Sequence, residues 1–375
     1  MNEIVPVITE VRTRRELDEF IRFPERLHRN HERWVPPLRA EERRLLNPKK
    51  NRAFGYCDCT LALARCGVEV VGRIAGIVNH RYNESRGERS ARFSHLECVE
   101  SQGVAHALLE HVEAWGRHRG MTRVVGPLGF TDQDPEGFLV DGFEHEPSLA
   151  TYYNFEFVVR LLEAEGYGKE MDYVVYCVPV PSTTPELYAR LSARIIERGK
   201  FELIEFETRR EIKPYIRPML DLMNESFVDL AGFSRLDEGE LGDLARRYLP
   251  VIDPRFVKCA VVEGQLAGFI AGIPNMNDGF RRANGRLLPI GWLHILRAGK
   301  QTRRLDLLLG AIEASFRGRG ADVVLGDAMI RSARDAGFVV IDSHHELEDN
   351  YRMRREMEKI GGEEYKRFRV FQKTL

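Results

Sequence analysis

Long apolar runs are missing from this chain. Nowhere do roughly 18 or more apolar residues follow one another, so no membrane-spanning helix is expected. The opening MNEIVPVITEVRTRRELDEF has no apolar core of about 7–15 residues and no small-residue cleavage pattern, so no secretory leader is legible there. An excess of one charge is missing too. The 56 basic and 57 acidic residues leave a formal charge of −1, which argues against a globally basic nucleic-acid binder and makes any anion site local. Cysteine is sparse: six residues, at 57, 59, 66, 98, 177 and 259. Cys57, Cys59 and Cys66 cluster, but without a CxxC pair or a fourth ligand at a usual distance. They read as thiols of a reducing cytoplasm, with no metal expected.

What is present is a repeat. VVGRIAGI begins at Val70 and LAGFIAGI at Leu266. An offset of 196 carries Gly72, Ile74, Ala75, Gly76 and Ile77 onto Gly268, Ile270, Ala271, Gly272 and Ile273. The same offset carries Asn154, opening a helical run that ends at Gly166, onto Asn350, opening one that ends at Gly362. Two matches at one offset imply two copies of one α/β module. A length of 375 residues suits about two domains. The clearest composition break, VPSTTPELYARL with Pro179, Pro181 and Pro185, puts modules at 1–178 and 179–375. Pro185 is suited to the first position of the next helix.

Periodicity gives both copies the same order. In the first, a strand (IVPVITEV) and a helix that Pro24 should break or kink precede a hairpin turning at Cys66-Gly67. The strand ARFSHLECV follows, then a helix burying Ala105, Leu108, Leu109, Val112 and Trp115 and stopped by Gly120. After the strand TRVVG a polar loop runs from Pro127 to about Thr151, then the Asn154 helix and the strand DYVVYCV. The second copy repeats strand, helices, a hairpin turning at Glu263-Gly264, the strand RLDLLLGAI, a helix, the strand FVVIDS, the Asn350 helix and a closing strand. The fold class is α/β (α+β), a mixed twisted sheet flanked by helices in each module. Each copy has one long insertion, residues 127–151 and 274–302; the second holds GWLHILRAG, a short helix. Long loops in compact domains are usually functional, so one or both are candidate covers for an acceptor groove, with packing between the domains the equal alternative.

The sharpest chemical signal is Arg317-Gly318-Arg319-Gly320-Ala321-Asp322, between an apolar strand and an amphipathic helix. The glycines let the backbone turn tightly, and free N–H groups at a helix start attract phosphate oxygens. Two arginines add bidentate donors. A pyrophosphate is the natural guest.

In this order of elements the chain resembles the GNAT acyl-CoA N-acyltransferases, whose Q/R-x-x-G-x-G/A loop cradles the coenzyme A pyrophosphate. WVPPL at 34–38, LVDGFEHEP at 139–147 and LEDNYRMRREMEKIGG at 347–362 resemble a bacterial group of tandem acyltransferase-like proteins. The resemblance implies two tandem GNAT-like modules. It implies a cofactor site of Ile312, Arg317, Gly318, Arg319, Gly320, Ala321, Asp322 and Asn350, with Ile312 on the strand whose main chain pairs with the pantetheine arm. Two departures stand out. Asp322 occupies the sixth loop position, where the family has Gly or Ala. Met357 stands where the family often has the tyrosine that protonates the leaving thiolate; Tyr351 is close in sequence but on another helical face.

The first copy reads as a degenerate partner. Matching Gly120 to Gly337 gives an offset of 217, which puts Gly103 on Gly320, Ala105 on Asp322 and Glu100 on Arg317. An acid there opposes a diphosphate. Proton-transfer candidates in the second copy are Asp342, His344, His345, Glu346 and Glu348, with Glu346 and His344 preferred and Tyr351 the nearest hydroxyl. The same residues also suit a polar strand end before a capping asparagine. The charge run from Arg352 to Lys359 reads as a solvated helix face, and Trp34 as part of a packed extended segment. The function expected is a cytoplasmic acyltransferase moving an acetyl or longer acyl group from acyl-CoA to a small-molecule amine, acting as monomer or homodimer. An acyl-CoA-binding protein without turnover and an aminoacyl-tRNA-dependent transferase are the alternatives, the latter disfavoured by the neutral charge.

Overall fold

The structure is a computed structural model that describes residues 5–148, 151–183, 186–228, 230 and 232–375. Pro185 lies outside them. In chain order the first elements are β1 (Val7–Glu10), α1 (Arg14–Leu27), α2 (Arg39–Leu45), β2 (Cys57–Cys66), β3 (Glu69–Asn79), α3 (His80–Arg86) and β4 (Ser90–Cys98). Then come α4 (Gln102–His118), β5 (Arg123–Gly126), β6 (Phe138–Asp141), α5 (Glu156–Ala164) and β7 (Gly168–Pro179). The later elements are α6 (Glu186–Glu197), β8 (Glu202–Glu205), α7 (Arg209–Ser226), α8 (Glu238–Tyr248), β9 (Val257–Val262), β10 (Gln265–Pro274), α9 (Asn277–Ala283) and α10 (Gly291–Gln301). The last are β11 (Arg304–Ile312), α11 (Ala321–Asp335), β12 (Val340–Asp342), β13 (Glu346–Leu347), α12 (Tyr351–Lys359) and β14 (Glu363–Thr374).

The chain forms two compact units. Unit 1 comprises Met1–Val174, Asn277–Ile295 and Tyr365–Leu375; unit 2 comprises Val175–Met276 and Leu296–Glu364. Each is a mixed sheet flanked by helices. In unit 1 the strands run β1-β2-β3-β4-β5-β14, with only β4 and β5 parallel and β6 pairing β14. In unit 2 they run β12-β11-β10-β9-β8, with only β11 and β12 parallel. Residues 177–179 of β7 pair antiparallel with β12.

The repeated sequence occupies the same place in each unit, the strand between its hairpin partner and the next strand: β3 in unit 1, β10 in unit 2. Alternation along β2 and β3 sends Ala62, Ala64, Ile74 and Val78 to a core with Val104, Leu108, Leu109 and Val112 of α4. Leu63, Ala75 and Ile77 go to the opposite core with Phe20, Ile21 and Phe23 of α1. Gly72 is required by α4: a Cβ there would sit 2.7 Å from Leu108 Cδ1. In unit 2, Met219, Leu222 and Met223 of α7 cover one face of the sheet over Cys259, Phe269 and Ala311, and Ala321 and Leu325 of α11 cover the other over Ala260 and Ala267.

Four expectations are corrected. α1 runs unbroken through Pro24. Proline leaves the carbonyl of Phe20 without its helical donor, and the Arg73 guanidinium fills that role at 2.9 Å. At its start a capping box closes α1: Glu16 N–H donates to Thr13 Oγ1 at 3.2 Å, and Thr13 N–H to the Glu16 carboxylate at 2.8 Å. The stretch 127–151 is not all loop, since β6 pairs with β14 in it. The second insertion carries α9 as well as the expected helix α10. Asn154 does not open α5, which starts at Glu156; its side chain instead accepts from Leu139 N–H at 2.7 Å and donates to the Leu139 carbonyl at 3.1 Å.

Candidate functional site

The site of unit 2 begins with a strand that loses one neighbour. β11 pairs with β12 only through Arg304–Asp306, while it stays paired with β10 as far as Ile312. Along residues 307–312 one edge of β11 therefore has no strand partner among the described residues, and its N–H and C=O groups there lack a ladder. A β-bulge between Ala271 and Gly272 leaves Leu308 as the extra residue and turns the strand locally. Arg304 secures the closed end: it is ion-paired with Asp342 and donates to Asp306 at 3.2 Å. Asp342, fully buried, is thereby a structural anion in this arrangement, not a free base.

β11 leads through a single 3-10 turn, Ala314–Phe316, into the glycine loop. Gly318 has φ +76° and Gly320 φ +100°, both left-handed, and Gly320 caps the 15-residue helix α11. Successive turns of this hand bring backbone N–H groups together at a helix start, where the dipole is positive. A Cβ on Gly320 would also meet Ile195 Cδ1 of α6 at 2.5 Å. Ala321 is fully buried, so it anchors the loop and does not line it. Asp322 lies half-buried in the first turn of α11, where the helix dipole favours an anion. Burial, followed by the charge of Asp322, raises the Tyr188 hydroxyl above its ordinary range.

Three arginines surround the loop. Arg317 is exposed and its Nε donates to the Ile312 carbonyl at 3.0 Å. Arg319 stacks its guanidinium 5.6 Å from the Phe316 ring centroid. The third is Arg352, whose Nη2 would lie 3.4 Å from a Cβ on Gly318. Arg352 is exposed, as a solvated helix face requires, and the fold also sets it beside the loop, because α12 begins there. Asn350 caps that helix, its Oδ1 accepting from Met353 N–H at 3.4 Å. Met357, where the resemblance would place a tyrosine, is buried and carries no hydroxyl.

Among the proton-transfer candidates is Glu346, whose carboxyl burial pushes up to about 8. It is also joined to Asn350, whose Nδ2 is 3.5 Å from Glu346 Oε2. The His344 ring packs against His345 at 5.4 Å, and the His344 carbonyl accepts from Ser343 Oγ at 3.0 Å. Tyr351 is 66% exposed, in the first turn of α12, and projects to solvent. The loop and Arg352, and separately Glu346 and Asn350, are thus brought together; Tyr351 is not joined to either by a described contact.

Comparison with known proteins follows this geometry. No family model matches the chain. It is 28% identical, over 98% of its length and 97% of the relative's, to a bacterial ceramide synthase of Caulobacter vibrioides (strain NA1000 / CB15N). A solved tandem GNAT protein from the clavulanic acid biosynthesis pathway superposes with a TM-score of 0.56 at 14% identity, covering 98% of both chains. A GCN5-related N-acetyltransferase from Sphaerobacter thermophilus gives 0.51 at 12% identity over 98% of this chain and 95% of its own. The chain has the tandem GNAT fold.

As a GNAT module, unit 1 departs from unit 2 in the loop and gains something else. Its β4 is likewise paired with β5 only through Ser90–Arg92. Yet α4 starts without any left-handed glycine, and Glu100, in the place of Arg317, is held by Arg160 at 3.0 Å. No phosphate nest forms there. Instead β4 is bulged, with Arg73 opposite Glu97 and Ala75 opposite Ser94, and His95 has φ +52°, a strained value for a non-glycine residue inside a strand. Ser94 Oγ is 2.9 Å from His95 Nδ1 and 3.1 Å from the Tyr152 hydroxyl; His95 Nε2 is 3.3 Å from Glu42. Burial opposes ionisation of Glu42, but the hydrogen bond and charge of His95 and the charge of Arg73 win and hold its carboxyl low. This Ser-His-Glu chain escaped the sequence reading because Glu42 is remote in sequence and only the fold brings it in.

Proposed function

We propose that this chain is a CoA-dependent N-acyltransferase whose donor lies at residues 317–322 of unit 2. The observation that carries the reading is the pair of left-handed glycines, 318 and 320, at the start of α11, directly after a strand edge left open over residues 307–312. In this reading the loop N–H groups, Arg317, Arg319 and Arg352 hold the pyrophosphate, and the open edge of β11 takes the amide-bearing arm. Arg317 must leave the Ile312 carbonyl to do so. The acceptor amine attacks the thioester carbonyl, a β11 N–H stabilises the oxyanion, and the C–S bond breaks as the thiolate gains a proton and the amine loses one. Glu346 is the base we favour, with Asn350 orienting it.

For the acceptor, the likeness to a protein named a ceramide synthase supports a long-chain amino alcohol, since a ceramide is the amide of such an amine with a fatty acid. The test is calorimetric titration with acetyl-CoA and palmitoyl-CoA, followed by thiol release with sphinganine and with short amines. Binding of palmitoyl-CoA and thiol release with sphinganine is the expected outcome. Absence of binding to either thioester sinks the proposal.

The Ser94, His95 and Glu42 contacts favour a second reading, in which the acyl transfer takes place within unit 1, at a centre with its own base. His95 Nδ1, backed by Glu42, would take the proton, as in other acid-His pairs. Turnover lost in His95→Gln but kept in Glu346→Gln would select this reading over the first.

A further inference from the structure

The segment between β10 and β11 carries a surface outside the loop and strand edge of the proposed donor site. Among the described residues fifteen large hydrophobics are exposed, and six of them fall within ten positions: Leu287, Leu288, Ile290, Trp292, Leu293 and Leu296. Single exposed hydrophobics need no explanation, but a contiguous set does. Their direction is fixed by the packing of α10. Gly291 and Ile295 are its buried side, and α9 approaches so closely that a Cβ on Gly279 would lie 2.4 Å from Ile295 Cα. Trp292, Leu293 and Leu296, spaced one helical turn apart or adjacent, therefore form the outward face. Trp292 is 48% exposed, and its indole N–H already donates to the Pro289 carbonyl at 3.1 Å, so its polar atom is satisfied without water.

Charge identifies the occupant. From Arg281 to Arg303 there are six cations (Arg281, Arg282, Arg286, Arg297, Lys300 and Arg303) and no acid, in a chain of net charge −1. All but Arg281 are exposed, and Arg286, Arg297 and Lys300 flank the apolar face. An apolar face with a tryptophan, ringed by cations, suits the headgroup boundary of an anionic bilayer: the side chains enter the acyl region and the cations meet lipid phosphates. A second copy of the chain would bring the same cations against themselves.

We propose that residues 286–300 dock this protein onto an anionic membrane surface. The docking does not depend on the reaction proposed above, and vesicle binding is measured without CoA or acceptor, so either idea can fail alone.

The experiment is co-sedimentation of the full chain with vesicles of phosphatidylcholine containing phosphatidylglycerol, and with phosphatidylcholine alone, at low and high salt. Binding to the anionic vesicles that weakens with salt is expected. The Trp292→Glu, Leu293→Glu double variant should lose on the order of tenfold or more in partitioning, and Arg297→Glu with Lys300→Glu a similar factor. A second readout needs no folded charge variant: brominated acyl chains should quench the wild-type indole emission, and Trp292→Phe should remove that quenching. No sedimentation with anionic vesicles overturns the proposal. So does a dimer in ultracentrifugation that the Leu293→Glu variant dissolves without any vesicle binding in the wild type.

Discussion

The guanidinium of Arg73 donates to the carbonyl of Phe20, the one group that Pro24 strips of its helical partner. The same side chain binds Glu97 at 2.7 Å through Nε, and His28 Nε2 lies 3.2 Å from that carboxylate. Burial alone would raise Glu97; the charge of Arg73 and the bond to His28 hold it at about 2. Arg73→Met should therefore cost about 3–5 kcal/mol, because it leaves a buried anion with only His28 beside it and a buried carbonyl without its donor. Adding Pro24→Ala to that variant supplies an N–H to Phe20 and should recover about 1 kcal/mol, whereas Pro24→Ala alone changes little. Urea unfolding of the four proteins measures the cycle.

Arg352 tests the proposed donor site, because it lies beside the loop while Arg355 does not contact it in any described way. Arg352→Glu should weaken CoA binding about tenfold or more, as Arg317→Glu should, while Arg355→Glu, further along the same exposed helix, leaves it nearly unchanged. Calorimetry with CoA decides. Equal loss at 352 and 355 would point to general electrostatics instead.

Glu346 sets a pH profile. With its carboxyl at about 8, it is mostly protonated at neutral pH and, in the proposed mechanism, would act as a base only after ionisation. We expect kcat/KM to rise through about pH 8, and the Glu346→Gln variant to lose both the rise and most of the rate, by roughly 100-fold. A plateau already reached near pH 6 would remove Glu346 from the mechanism.

Glu136 gives a stability profile that runs the opposite way. Its carboxyl is buried, hydrogen-bonded by the Tyr173 hydroxyl at 2.7 Å, and pushed up to about 8 by burial and then by Asp132. The folded state favours the protonated form, so this stability is fully present below the ordinary value of 4.5 and is lost as pH rises through about 8. Glu136→Gln should match the wild type near pH 4 and exceed it above pH 8 by on the order of 2 kcal/mol. Thermal melts across that range check it.

Much of the fold could be read from spacing. Gly72 and Gly76, and their partners Gly268 and Gly272, marked equivalent strands because close packing at those points leaves little room for a side chain. The loop was legible for the same reason: Gly318 and Gly320 are spaced as a turn before a helix requires. What stayed hidden depended on distant partners. The closeness of the exposed Arg352 to the loop stayed hidden because nothing in its sequence neighbourhood says where α12 points. Asn154 looked like a helix cap because an asparagine before an apolar run usually is one; a β6 backbone, too short to stand out by its own pattern, claims it instead. The chain through Glu42, His95 and Ser94 joins two segments that no local pattern connects.

The strand β14 has a consequence for how the chain is made. Its residues 365–374 belong to unit 1, where Phe371 to Thr374 pair with Gly126 to Arg123. Everything else in the unit 1 sheet leaves the ribosome nearly two hundred residues earlier. From the making of β5 until residues 371–374 follow, that edge therefore waits without its partner, exposed to other strands. Unit 2, nested inside that loop, has its strands available first. The half of the protein written first is thus the half completed last.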